Sequence, residues 1–347
     1  MTARQARFEG VLSLAKRRRP IIGGGFSADR PQIVAHRGSS SLVAEHTLAA
    51  YLRALEEGAE ALECDVRLTA DGHLVCVHDR RIDRTSNGRG VVSTLPLKEL
   101  QALDWSSWKQ RVAQSGPPVL AEPPVLAEPP VLAEPPVLAE PPPLGDETSL
   151  SDEEATFFRT PDTSVDQPGG SHDGRDLDRT TVLTLERLFD AVHDWGRPVD
   201  LAIETKHPTR YAGLVEQRLI ELLDRFGWAR PKRGHLSPAR VMSFSWLSLR
   251  RSLEMAPALE MVYLMDRVPL WLRDGSLPLG VGVSGPSIEI IRAYPEYVDK
   301  VHAAGKQVHV WTVNDPRDLA MCADLGVDAI ITDRPGEALK QLGDSGN

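Results

Sequence analysis

Eight short β-branched runs alternate with amphipathic segments along most of the 347 residues, which predicts an α/β chain folded as a (β/α)8 TIM barrel. Two further observations separate this barrel from an open doubly wound sheet. The strand-like runs number eight once one short hairpin partner is set aside, and no Gly-rich phosphate loop follows the first of them. One Pro-rich stretch breaks the pattern. The expected organisation is an N-terminal segment over 1–30, a barrel over 31–111 and 180–340, and an insertion over 112–179.

The elements follow in order. QIVAHRG (32–38) reads as a strand that ends in a Gly turn. EHTLAAYLRALEEGA (45–59) is helical, because Leu48, Tyr51, Leu52 and Leu55 keep the helical period and Gly58 supplies a stop. ALECDVRL (61–68) is the next strand, and DGH turns it into a short partner, LVCVHD (74–79). Helices are expected in 184–196, 211–227, 247–257, 295–305 and 316–326. The remaining strands begin near Val199, Val241, Met261, Val281, Val308 and Ala329.

PPVLAE occurs four times in tandem over 117–140. Every Glu of the array precedes a proline, which disfavours its helical conformation. Polyproline II has three residues per turn, so Glu122, Glu128, Glu134 and Glu140 fall on one side. With the acidic, Ser- and Gly-rich run that follows, the segment reads as a semi-extended, largely disordered insertion in a barrel loop. A stalk for a protein partner of unknown identity is the alternative role.

A net charge of −9 argues against a general nucleic-acid binder, but a local cluster of cations can still take an anionic substrate. Cys64, Cys76 and Cys322 lack metal or redox spacing and read as buried thiols in a reducing compartment. No stretch is long and apolar enough for a transmembrane span. The expected location is cytoplasmic. The basic AKRRRP stretch is read as a solvated arm, with peripheral contact to an anionic membrane as its alternative.

The chemistry is expected where barrel strands end. His36-Arg37-Gly38 closes the first strand, Glu63 and Asp65 lie on the second, and His78-Asp79 closes its partner. Glu204 and Lys206 close the third main strand, and Trp311 and Asn314 follow the seventh. Alternation puts Leu62, Cys64 and Val66 on one face and Glu63 with Asp65 on the other. Two enclosed carboxylates repel, and a divalent cation, Mg²⁺ or Ca²⁺, would offset that repulsion through hard oxygen ligands from Glu63, Asp65 and Glu204. His36 and His78 titrate near neutrality and suit acid–base work. Arg37 and Lys206 suit phosphate oxygens. Carboxylates for a metal, two histidines and two cations make a set fit for phosphodiester cleavage.

AHRGSSSLVAEHTLAAYLRALEEGAEALECDVRLTADGHLVCVHD (35–79) resembles the opening signature of the glycerophosphodiester phosphodiesterase family. The matching motifs are His-Arg-Gly, Glu45-His46-Thr47, Glu-x-Asp and His-Asp. LAIETK, SFSWLSL, VHVWTVND and GVDAIITDRP resemble its later blocks, in order. The resemblance implies a (β/α)8 barrel that hydrolyses glycerophosphodiesters to glycerol 3-phosphate and an alcohol. It implies His36 and His78 as the acid–base pair, Glu63, Asp65 and Glu204 as metal ligands, and Arg37 and Lys206 at the phosphate. Trp311 matches an aromatic that would line the glycerol side. Glu45 matches a position near the site, as ligand or as support for the loop. The Pro-rich array is not part of the family pattern.

Two other functions fit the same residues. One is a lysophospholipase D-like or other lipid phosphodiesterase, for which RVPLWLRDGSLPLG (267–280) could supply an apolar rim. The other is a barrel that binds a phosphodiester without turnover.

Overall fold

The computed structural model describes residues 30–110, 180–207, 213–232 and 234–344. Residues 1–29 of the expected N-terminal segment and the whole expected insertion, 112–179, lie outside the described residues.

The strands are β1 (Gln32–His36), β2 (Ala61–Leu68), β3 (Leu74–Cys76), β4 (Asp200–Thr205), β5 (Ala239–Ser243), β6 (Glu260–Met265), β7 (Val283–Pro286), β8 (Gln307–Val310) and β9 (Ala329–Thr332). Eight of them run parallel in the order β1-β9-β8-β7-β6-β5-β4-β2, and pairing of β1 with β2 closes the ring. β3 is antiparallel and hangs on the end of β2. This is the expected (β/α)8 barrel, with each main strand starting within two residues of its predicted position.

The helices are α1 (Leu48–Glu56), α2 (Leu97–Gln101), α3 (Leu185–His193), α4 (Leu214–Arg225), α5 (Trp246–Met255), α6 (Ile288–Ala293), α7 (Tyr297–Ala303), α8 (Pro316–Asp324) and α9 (Pro335–Asp344). The side chains of Thr47, Ser245 and Asp315 accept from backbone N–H groups of the first turns of α1, α5 and α8. Each such cap stabilises by about 1 kcal/mol and fixes where the helix starts. α2, α6 and α9 were not expected. α2 is five residues and α6 six, too short to show a helical period, and α9 begins at a proline that reads as a stop but is favourable in a first turn. Among the described residues, β6 and β7 are joined by one 3-10 turn, Leu270–Leu272, rather than an α-helix.

Alternation sorts the core. Leu62, Cys64 and Val66 of β2 point outward and pack with Tyr51 and Leu55 of α1 and Leu188 and Phe189 of α3. Val34, Ala61, Ala202, Met242, Val262, Val283, Ala329 and Ile331 fill the barrel interior. Alanines facing larger residues are how such an interior reaches close packing. The N-terminal floor is polar instead: Arg240 and His309 are fully buried there, with Asp200 and Glu260 nearby in charge. Gln32 donates to Asp200 at 2.9 Å, and burial pushes the Asp200 carboxyl up to about 7.

Candidate active site

The register of the barrel assembles the site. β1 pairs with β2 so that His36 lies beside Glu63, and β2 pairs with β4 so that Asp65 lies beside Glu204. Period-2 alternation then turns these side chains into the barrel mouth. The backbone of the next turn is strained: Arg37 and His46 have φ of +57° and +60°. Gly38 is required between them, because a Cβ there would lie 2.6 Å from the carbonyl carbon of Ala50. The turn aims the Arg37 N–H at Glu63 Oε2, at 3.0 Å.

Glu63, Asp65 and Glu204 are buried, and each offers an oxygen within 4.8 Å of the others. Arg37 Nε lies 3.0 Å from Asp65 Oδ2, and His46 Nε2 lies 2.9 Å from the same oxygen. Lys206 Nζ lies 3.1 Å from Asp65 Oδ1 and 2.7 Å from Glu204 Oε1. Burial alone would raise Asp65, but the His46 hydrogen bond and the charges of Arg37 and Lys206 outweigh it and hold Asp65 well below the usual range. Burial and the neighbouring Asp65 charge act the other way on Glu63, which is raised, and on Glu204, which is pushed up to about 8. Burial would lower Lys206, yet Asp65 and Glu204 raise it, so it stays charged.

The two histidines are held alike. His36 Nδ1 lies 2.7 Å from Asp333 Oδ1, and His78 Nδ1 lies 2.7 Å from Asp79 Oδ1. An acceptor on Nδ1 fixes the ring and leaves Nε2 for proton transfer. Asp333 also accepts from Ser40 Oγ and Asn314 Nδ2. Asp79 accepts from Arg84 Nε at 2.6 Å, and that bond and the His78 contact outweigh burial and hold it at about 2. Arg67 anchors the His78 carbonyl with two bonds of 2.8 and 2.9 Å. Burial pushes His78 below its ordinary value.

Ion pairs stitch the rim together. Arg84 reaches Glu45, Glu45 reaches Arg37, and Arg37 reaches Asp65. Glu45 is thus a bridge between two arginines and lies outside the carboxylate cluster. On the far wall, the Trp311 indole N–H donates to Gly285 O at 2.7 Å, and Phe244 meets the Trp311 ring edge-on at 5.4 Å.

His36, Arg37, Glu63, Asp65, His78, Glu204 and Lys206 therefore converge on one mouth, with Trp311 beside it. Asp333, Arg84, Arg67 and His46 were not assigned roles from sequence. Asp333 lies one residue past the end of β9, so the strand-end rule that selected the others would have selected it too. The donor set fits a hard divalent cation: three carboxylates converge, and Asp65 Oδ1 accepts no hydrogen bond despite its ion pair.

The sequence pattern of the glycerophosphoryl diester phosphodiesterase family matches residues 36–337. This chain belongs to that family. A glycerophosphoryl diester phosphodiesterase relative from Mycobacterium tuberculosis, named probable glycerophosphodiester phosphodiesterase 1, is 38% identical over 318 residues, covering 91% of this chain and 94% of its own. A glycerophosphodiester phosphodiesterase from Caldanaerobacter subterraneus is 26% identical, covering 87% and 94%. Among solved structures, a phosphodiesterase from Oleispira antarctica in complex with the product sn-glycerol-3-phosphate superposes with a TM-score of 0.62 at 20% identity, over 90% of this chain and 97% of that one. A putative glycerophosphoryl diester phosphodiesterase from Silicibacter pomeroyi gives 0.65 at 21% identity, over 96% and 97%. Both share the barrel.

Proposed function

We propose that the chain hydrolyses glycerophosphodiesters to sn-glycerol 3-phosphate and an alcohol, with His36 and His78 as the acid–base pair. Family membership supports the reaction class. The observation that carries the assignment of roles is the pair of histidine–carboxylate contacts, His36–Asp333 and His78–Asp79, on one mouth with the acidic cluster. Glu63, Asp65 and Glu204 would hold one divalent cation, Mg²⁺ or Ca²⁺. When bound, it supplies Lewis-acid stabilisation of the charge that builds on phosphorus oxygens.

Arg37 and Lys206 add positive charge beside the same position. One histidine takes the proton of the attacking hydroxyl, either of water or of the neighbouring glycerol carbon, and the second route forms a cyclic phosphate that water then opens to glycerol 3-phosphate. The P–O bond to the leaving alcohol breaks, and the other histidine gives that oxygen a proton. Burial lowers His78 from its ordinary value and so favours the neutral ring, which suits it to accept a proton first. Trp311 would pack against the glycerol carbons.

The three free, buried cysteines support a reducing, cytoplasmic setting. A lysophospholipid is the second substrate class, favoured by the half-exposed Phe244 that extends the Trp311 wall outward. The test is release of glycerol 3-phosphate from a panel of small glycerophosphodiesters and one lysophospholipid, with chelator and then with Mg²⁺ or Ca²⁺ restored. Chelator-sensitive release that is lost in His36→Ala and Glu63→Gln is expected. Unchanged activity in both variants would remove the proposed roles.

A further inference from the structure

Eight large apolar side chains are strongly exposed among the described residues, and five of them sit on the face that carries the mouth. Leu42 (60% exposed) lies between β1 and α1, Phe244 (42%) and Leu247 (52%) follow β5, and Leu270 (74%) and Trp271 (75%) follow β6. Leu236 and Leu279 precede strands at the opposite end, and Tyr294 lies between α6 and α7.

Leu270 and Trp271 are held outward. Leu272, the third residue of their 3-10 turn, is buried in the core. Gly275 presses so closely on α7 that a Cβ would lie 2.3 Å from the Lys300 carbonyl carbon. Ser276 Oγ donates to Trp271 O at 3.3 Å, and its N–H donates to Asp274 Oδ1. A pinned turn that offers a Leu-Trp pair to water is the form of an interfacial anchor, with an amphipathic indole suited to the headgroup level.

The charges on this face point to the occupant. Residues 80–89 carry four arginines against Asp83 alone. Arg80 and Arg89 are exposed and make no ion pair among the described residues, whereas Arg81 pairs with Asp83 and Arg84 with Glu45 and Asp79. Arg267 and Arg273 flank the Leu-Trp turn, exposed and likewise unpaired, with Asp266 and Asp274 outside them. On a chain of net charge −9, exposed arginines on the mouth face orient it toward an anionic surface and turn the rest away. The apolar residues leave three different strands, so a broad flat partner can meet them together where a small ligand cannot.

We propose that the mouth face docks on an anionic phospholipid surface, with Leu270 and Trp271 entering the interface and Arg80, Arg89, Arg267 and Arg273 meeting headgroup phosphates. This docking does not depend on which phosphodiester is cleaved.

The test is flotation of the full chain with phosphatidylcholine vesicles, pure or containing roughly 30% phosphatidylglycerol, at low and high salt. Wild type is expected on the anionic vesicles, less so at high salt. Leu270→Ser/Trp271→Ser is expected to bind at least ~10-fold more weakly, and Arg267→Gln/Arg273→Gln to lose most of the anionic preference. Unchanged melting temperatures and turnover of a soluble glycerophosphodiester would show that both variants are folded. Absence of wild-type from vesicles would overturn the proposal and leave a protein partner for the face. Wild-type-like binding by the Leu270/Trp271 variant would overturn it as well.

Discussion

His46 Nε2 lies 2.9 Å from Asp65 Oδ2 while its Nδ1 lies 2.8 Å from the Tyr51 hydroxyl, whose oxygen is also 3.1 Å from the Glu63 backbone carbonyl oxygen. An ionised Asp65 can only accept, so His46 must donate from Nε2. One buried imidazole thus orients the Asp65 carboxylate and, with Tyr51, sits against the β2 backbone at Glu63. We expect His46→Ala to weaken divalent-cation binding by ~10–100-fold, and His46→Gln, which keeps a donor, by less. Isothermal calorimetry of both variants checks this. Equal affinity in His46→Ala would mean that the contact only fills space.

Asp333 should act on turnover through His36. Its carboxylate fixes the imidazole on the Nδ1 side, so Asp333→Ala should lower kcat by about 10²-fold, within the ~10²–10⁴ range of an acid–base contribution, with little change in KM. Steady-state release of glycerol 3-phosphate measures it. A rise in KM alone would place Asp333 in substrate binding.

Cation binding should release protons. Without a cation, burial and Asp65 put Glu204 at about 8 and raise Glu63. Below that pH Glu204 holds a proton that a cation must displace, and the raised Glu63 adds a second while it is protonated, so apparent affinity should climb at least about tenfold per pH unit up to about 8. Calorimetry in two buffers of different ionisation enthalpy reads the proton count. A pH-independent affinity would contradict it.

The floor of the barrel should set a pH dependence of stability. Burial raises Asp200 from 3.8 to about 7 in the folded chain. The folded state then binds its proton more tightly than the unfolded state, so the Asp200 contribution to stability is greatest below about 4, falls as pH rises between about 4 and 7, and is lowest above about 7. The span is on the order of 4 kcal/mol. Asp200→Asn should flatten the fall of melting temperature between pH 5 and 8. A parallel curve in the variant would remove Asp200 as its source.

We propose that 112–179 is an insertion on which the barrel does not depend. Trp105 N–H donates to Thr180 O at 3.0 Å and the Thr181 hydroxyl to Gln101 O at 2.9 Å, so the flanks already meet. Replacing 112–179 with a short linker should leave melting temperature and kcat/KM near wild type. A large fall in either would show that the segment supports the barrel.

The parts legible in the sequence were those governed by local periodicity. Alternation placed Glu63 and Asp65 on one face, and strand ends located His36, His78, Glu204 and Lys206. Partners fixed by closure were not legible: Asp333 meets His36 only because β9 pairs with β1 across nearly the whole chain. His46 stood in a quoted motif, but its aim at Asp65 depends on a left-handed backbone that no spacing shows. Nothing in the sequence marked Arg240 as buried, since burial at a barrel floor follows from the closed ring alone.

The rim's ion pairs run without a gap from Asp79 through Arg84, Glu45, Arg37 and Asp65 to Lys206, signs alternating at every step, and Lys206 goes on to meet Glu204. Each interior member answers to two neighbours, so a single substitution takes one partner from two groups at once. Change along this chain should be inherited in pairs, and an engineer who wishes to retune one link must plan for the link on either side.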